Sequence, residues 1–186
     1  YTLSKHDAPP ILGRYEQAMD SYKQALELNP ILEEARENMA KALIASGKTE
    51  EAISYYRMIT ENDNSNFRVH FVLGKLYHET NRQEESILAF KECIRIKPVF
   101  ADAYDELGKL YIKKGCYKQA VEVFREYTVL SPKEYSGFYN LGTALYHVDR
   151  KKDAIECFKI VVKLKPDSYR SYFNMAVALF VIGYFF

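Results

Sequence analysis

The strongest constraint on this chain is a 34-residue spacing of its helix breakers. Pro30, Pro98, Pro132 and Pro166 are separated by 68, 34 and 34 residues, and Asn64 stands at the skipped point. Half a period away lie Gly13, Gly47, Gly115 and Gly183, with Asn81 and Asp149 at the two points that lack glycine. Proline cannot continue a helix interior. Glycine, and less often Asn or Asp, takes the left-handed backbone angles found just past a helix C-terminus. Each period is therefore expected to hold two helices, one ending at the Gly point and the other just before the Pro point.

Alignment on this period exposes packing positions. Small residues recur at Ala40, Gly74, Gly108, Gly142 and Ala176, and again at Ala18, Ala52, Ser86, Ala120 and Ala154. Large apolar residues precede the first set (Met39, Leu73, Leu107, Leu141, Met175) and follow it by about one turn (Leu43, Tyr77, Tyr111, Leu145, Leu179). A third ring, Tyr22, Tyr56, Phe90, Phe124 and Phe158, lies four residues beyond the second small set. Spacings of three and four place each group on one helical face. Sixteen Tyr and eleven Phe are many for 186 residues, and this register assigns Tyr22, Tyr56, Tyr77, Tyr111, Phe90, Phe124 and Phe158 to the core.

With these residues in view, the chain resembles the tetratricopeptide repeat, a helix-turn-helix with Leu-Gly then Tyr in its first helix, Ala and Phe in its second, and a closing Pro. The segment from Ala101 to Pro132 is the fullest copy, with Tyr104, Leu107, Gly108, Tyr111, Ala120, Phe124 and Pro132 in place. The expected fold is an all-α, right-handed α-solenoid of antiparallel helix pairs. Residues 1–12 read as a linker or irregular arm and 13–186 as the array: 13–32 the second helix of a partial repeat, from about Tyr15 to Leu28; 33–66, 67–100, 101–134 and 135–168 full repeats; 169–186 the first helix of another partial repeat. Arg36 and His70 depart from the usual aromatic of the first helix. Ile59, Cys93, Tyr127 and Val161 replace a usual Ala, which is expected to widen the local helix spacing.

A search for catalytic chemistry yields little. His6, His70, His78 and His147 are scattered without an HExxH pair or a Cys/His cluster, and no phosphate-binding glycine loop occurs. No catalytic residue, metal or cofactor is expected, and the chain is not read as an enzyme. Lys plus Arg number 26 against 25 Asp plus Glu, so no net field draws it to nucleic acid. The apolar run Met175 to Phe186 has twelve residues, short of the roughly 20 needed to span a bilayer, so direct membrane insertion is not expected. Cys93, Cys116 and Cys157 fit neither a disulfide framework nor zinc spacing and point to a reducing, cytoplasmic compartment. Cys93 and Cys157 read as buried; Cys116 follows Gly115 in a turn, with no activating neighbour.

Function is then expected on the surface. The resemblance implies that first helices line a concave peptide-binding groove, with approximately the second, fifth, sixth, ninth, twelfth and thirteenth positions of each repeat facing it. The ninth position gives Lys41, Lys75 and Lys109; the second includes Arg68; the fifth includes Phe71, Tyr139 and Phe173; the sixth includes Asn140 and Asn174. First helices about 10 Å apart would present a lysine to roughly every third residue of an extended peptide, a spacing suited to acidic side chains. Asn140 and Asn174 can each offer a peptide unit both a donor and an acceptor. The alternative is a solvated face whose lysines are neutralised by Glu37, Asp105 and Glu106. The carboxylate clamp of chaperone-binding family members is not reproduced, since Glu37 stands where that clamp has a lysine.

The expected function is a non-enzymatic protein-protein interaction scaffold for a protein or peptide partner with acidic residues. One alternative is the substrate-recruiting arm of a larger enzyme. Another is self-association through uncapped ends, using Tyr15 and Tyr22 or Val181, Phe185 and Phe186.

Overall fold

The computed structural model describes residues 10–183 apart from Ile31 and Asp63, and gives no side-chain placement for residues 10–12, Glu33 and Asn62. Ten helices lie among the described residues: α1 Pro10–Leu28, α2 Glu33–Ala45, α3 Thr49–Asn62, α4 Phe67–Glu79, α5 Gln83–Ile96, α6 Ala101–Lys113, α7 Tyr117–Leu130, α8 Tyr135–His147, α9 Lys151–Leu164 and α10 Tyr169–Gly183. Even-numbered helices from α2 onward are the first helices of repeats and odd-numbered ones the second. The arm expected at 1–12 lies outside the described residues up to position 9, and its last three residues are helical. Proline is tolerated in a first helical turn, where its missing N–H would be unbonded anyway; helix α1 therefore starts at Pro10 and carries Gly13 in its interior rather than at an end.

The helix ends follow the breaker spacing through one recurring turn. Gly47, Asn81, Gly115 and Asp149 all have positive φ, between 60° and 77°. In each turn the next residue's N–H bonds back to a carbonyl in the last helical turn: Lys48 to Leu43, Arg82 to Tyr77, Cys116 to Tyr111 and Arg150 to Leu145, at 2.7–2.9 Å. This is the Schellman arrangement, which satisfies orphan carbonyls and reverses the chain at once.

A second device recurs at the Pro-type breaks. Arg36 donates from its guanidinium to the Pro30 carbonyl. Nε2 of His70 lies 3.3 Å from the Asn64 carbonyl oxygen, and the Tyr104 hydroxyl donates to the Pro98 carbonyl at 3.0 Å. The two apparent departures at the aromatic position thus reach six residues back to the break, as Tyr104 does.

The described helices form two packed units, one ending at Ala89 and the other beginning at Phe90. In the first, Met39, Leu43, Ala52, Tyr56, Ile59, Leu73 and Tyr77 belong to one buried cluster. Ser86, at an alanine position, is fully buried there and donates to the Gly74 carbonyl at 2.7 Å, so its hydroxyl carries no unmet desolvation cost. In the second, Phe90, Phe124 and Phe158 are at most 1% exposed. A Cβ on Gly108 would lie 2.6 Å from the Phe124 ring, and one on Gly142 2.8 Å from Phe158. Glycine is required there by close approach.

Tyr127 is buried, and its ring fills the space of a missing side chain at Gly137, where a Cβ would come within 2.5 Å. The equivalent positions in other repeats hold Ala35, Val69, Ala103 and Ser171. One packing expectation is corrected: helix α10 departs from the core pattern, because Leu179 is 53% exposed and Ala176 is also exposed. Among the described residues no second helix covers that face, and Phe185 and Phe186 lie outside them.

Candidate functional site

In the first unit, α2 and α4 carry the first part of the expected face. Lys41 is exposed and its ammonium lies 3.3 Å from Glu37, one turn back on the same helix. Lys75 has Phe71 at that position instead and sits 6.0 Å from the centre of its ring. The Arg68 guanidinium is 5.6 Å from the Phe67 ring, and the Arg68 backbone N–H is capped by Asn66 at 3.2 Å. Among the described residues neither Arg68 nor Lys75 has a carboxylate within salt-bridge distance. Helix α4 therefore presents two cations around a half-buried phenylalanine.

The second unit places α6, α8 and α10 in mutual succession, α6 against α8 and α8 against α10. Lys109 on α6 is 2.6 Å from Asp105 and 3.9 Å from Glu106. Burial pushes its ammonium pKa down, but the bond to Asp105 and the two carboxylate charges outweigh this and hold it above the ordinary lysine value. The lysine column is therefore not uniform. Lys41 and Lys109 are matched by acids on their own helices, as the solvated-face alternative requires, whereas Lys75 is not.

Farther along, Asn174 on α10 donates to the Tyr139 hydroxyl on α8 at 3.3 Å. The Tyr139 ring lies 6.0 Å from that of buried Phe158. Beside this pair is a cavity of about 160 Å³ lined by Thr143, Tyr146, His147, Phe173, Asn174 and Val177 as well as Phe158. Phe173 is 67% exposed at its edge. Asn140 is half-buried on α8 next to Tyr139. One N–H of Asn174 is thus already engaged, leaving its other N–H and its carbonyl for a partner.

A larger cavity, about 470 Å³, opens at the N-terminal ends of α8 and α10. It includes Tyr135, Lys165 and Tyr169, none of which stands in the groove columns read from sequence. The available signal was tyrosine at the first position of two successive repeats, Tyr135 and Tyr169. Among the described residues no group of three or more His, Cys, Asp or Glu is placed to hold a metal ion. No described helix is long and apolar enough to cross a membrane. Burial pushes the Cys93 thiol up to about 12 and, with Asp153 nearby, the Cys157 thiol up to about 11, so both remain neutral and poorly nucleophilic.

Comparison with known proteins agrees with this architecture. Among solved structures, the crystal structure of MamA protein superposes with a TM-score of 0.74 at 22% identity, covering 85% of this chain and 86% of that one. The structure of YrrB, described as a TPR protein with an unusual peptide-binding site, gives 0.73 at 17% identity over 87% of this chain and 83% of its own. A MamA segment from Desulfovibrio magneticus RS-1 gives 0.71 at 18% identity, covering 78% and 82% respectively. Such identities speak to the fold alone. Among curated proteins, 86 residues are 28% identical to the Homo sapiens protein O-mannosyl-transferase TMTC1. The match takes in 46% of this chain but only 10% of that protein's length. Models described as tetratricopeptide repeat match residues 12–76 and 106–168, and one described as TPR repeat matches 74–115. Successive matches across 12–168, on a framework of breaker-defined helix pairs, establish that the chain belongs to the tetratricopeptide repeat family.

Proposed function

We propose that the chain is a non-enzymatic interaction scaffold that holds a segment of a protein partner on the first-helix faces of its repeats. The observation that carries this reading is the open cavity beside Phe173, where an exposed aromatic borders an amide with unused hydrogen-bonding capacity. Such a surface gains from burying a ring and can hold a peptide backbone without demanding one sequence. In the first unit, Arg68, Phe71 and Lys75 suit a partner carrying acidic side chains, with Lys41 and Lys109 contributing less because their charges are already matched.

The test is capture of partners from a native extract by wild type, by Asn140→Ala/Asn174→Ala and by Lys41→Glu/Lys75→Glu/Lys109→Glu. Reduced recovery by either variant supports the reading, and unchanged recovery by both removes it. In the second set, Lys75→Glu alone is expected to account for most of the loss. A second reading, the substrate-recruiting arm of a larger enzyme, is favoured by the partial similarity to a mannosyl-transferase. Its test is the mass and domain content of the native polypeptide: absence of a catalytic domain on the same chain excludes it.

A further inference from the structure

The cavity at the starts of α8 and α10 has a donor-rich chemistry distinct from the amide and aromatic face beside it. Three tyrosines, Tyr135, Tyr139 and Tyr169, line it. The Tyr135 hydroxyl accepts from the Lys165 ammonium at 3.3 Å, and the same ammonium lies 4.6 Å from the centre of the Tyr135 ring. The Tyr169 hydroxyl accepts from Arg170 Nε at 3.2 Å. The Tyr139 hydroxyl accepts from Asn174. The bond to Tyr169 holds the Arg170 guanidinium above its ordinary pKa, and at the pH where it titrates the phenolate charges of Tyr169 and Tyr139 add to this. Each of the three phenol oxygens thus receives a hydrogen bond from a cation or an amide, and none of their own protons has an acceptor among the described residues.

A phenol that accepts from a cation becomes a better donor, because the bonds polarise one another. The cavity therefore offers three polarised O–H groups and two cations, with one acid, exposed Asp167, on its wall. A carboxylate has two oxygens in one plane. A phosphate presents three terminal oxygens directed apart and a second negative charge, which matches donors arriving from α8, from α10 and from the turn between α9 and α10. The phenol rings leave apolar surface for the organic part of an ester.

We propose that this cavity binds a phosphate monoester, and that its natural source is a phosphorylated side chain on the partner segment. Only the second clause rests on the scaffold reading. The first is tested on the chain alone, so the two fail separately. The ¹⁵N-labelled chain is titrated with phenyl phosphate, inorganic phosphate and benzoate while the Arg170 Nε–H and the amides of residues 167–171 are followed by NMR. Phenyl phosphate is expected to shift these signals at millimolar concentration and to bind more tightly than the other two. Lys165→Gln/Arg170→Gln should weaken it by about tenfold or more, as loss of charge-assisted bonds implies. Tyr135→Phe/Tyr139→Phe/Tyr169→Phe, which keeps the rings, should weaken it several-fold, and Asp167→Asn should tighten it. Arg170 and Asp167 are exposed and Lys165 is half-buried with its ammonium bonded, among the described residues, only to the exposed Tyr135, so unchanged circular dichroism is expected for their variants. Equal binding of benzoate overturns the phosphate assignment, and equal binding of inorganic phosphate overturns the ester. Absence of shifts with phenyl phosphate, or binding unaffected by these variants, overturns the site.

Discussion

At the scale of single residues, the positions that matter are those where a side chain and an absence of one are matched. Tyr127 lies against Gly137 so closely that any Cβ must displace its ring. Gly137→Ala is expected to cost about 1–3 kcal/mol, the usual penalty for overpacking a filled core. Adding Tyr127→Ala should remove most of the coupling, although that change leaves a cavity of its own. Urea denaturation of the two single variants and the double variant measures this; simple additivity would show that the two residues do not share the space. The cysteines give a second prediction. With thiols raised to about 12 and about 11, Cys93 and Cys157 should resist alkylation at pH 8 in the native state, while half-buried Cys116 reacts. Mass spectrometry should find one label before denaturation and three after. The sign of the pH effect follows: the unfolded chain releases these protons near pH 8.5 and the folded one does not. Their contribution to stability is therefore present below that pH and declines as pH rises toward the folded values.

At the scale of helices, two kinds of junction alternate. The Gly-type turn is held by backbone bonds around a left-handed residue. The Pro-type turn is tied by a side chain from the following helix, and the tie tolerates Arg, His or Tyr because its acceptor is a carbonyl. The third of these positions allows a clean test. Tyr104→Phe retains the ring and removes the 3.0 Å bond to Pro98, so it should cost about 0.5–1.5 kcal/mol. It should also speed amide exchange at the α5–α6 junction. A loss well above that range would assign the residue's contribution to ring packing instead. The next repeat already has Phe138 at this position, showing that the tie is not obligatory.

At the scale of the whole molecule, stability in a repeat array is a sum of local helix packing and nearest-neighbour interfaces. Burial is uneven along the chain. Helix α6 buries Ala103, Leu107, Gly108, Leu110 and Tyr111, whereas α10 buries only Ser171 and Ala178. Hydrogen exchange of this polypeptide should therefore be graded, with α10 amides at least about tenfold faster than those of α6, reflecting lower local opening free energy. Uniform protection along the chain would contradict nearest-neighbour stability. By itself the sequence determined the helix ends, the register and the inner residues of the four full repeats, though not the start of α1, which lies at Pro10 with Gly13 inside the helix. Those properties depend on backbone angles and on periodic volume, which are local and repeat every 34 residues. Only the tertiary structure decided how Tyr127 is housed and that Tyr135, Lys165, Tyr169 and Arg170 surround one cavity. Those outcomes depend on rotamers meeting across neighbouring helices, such as the Lys165–Tyr135 contact spanning 30 residues, and a one-dimensional period carries no information about where such side chains point.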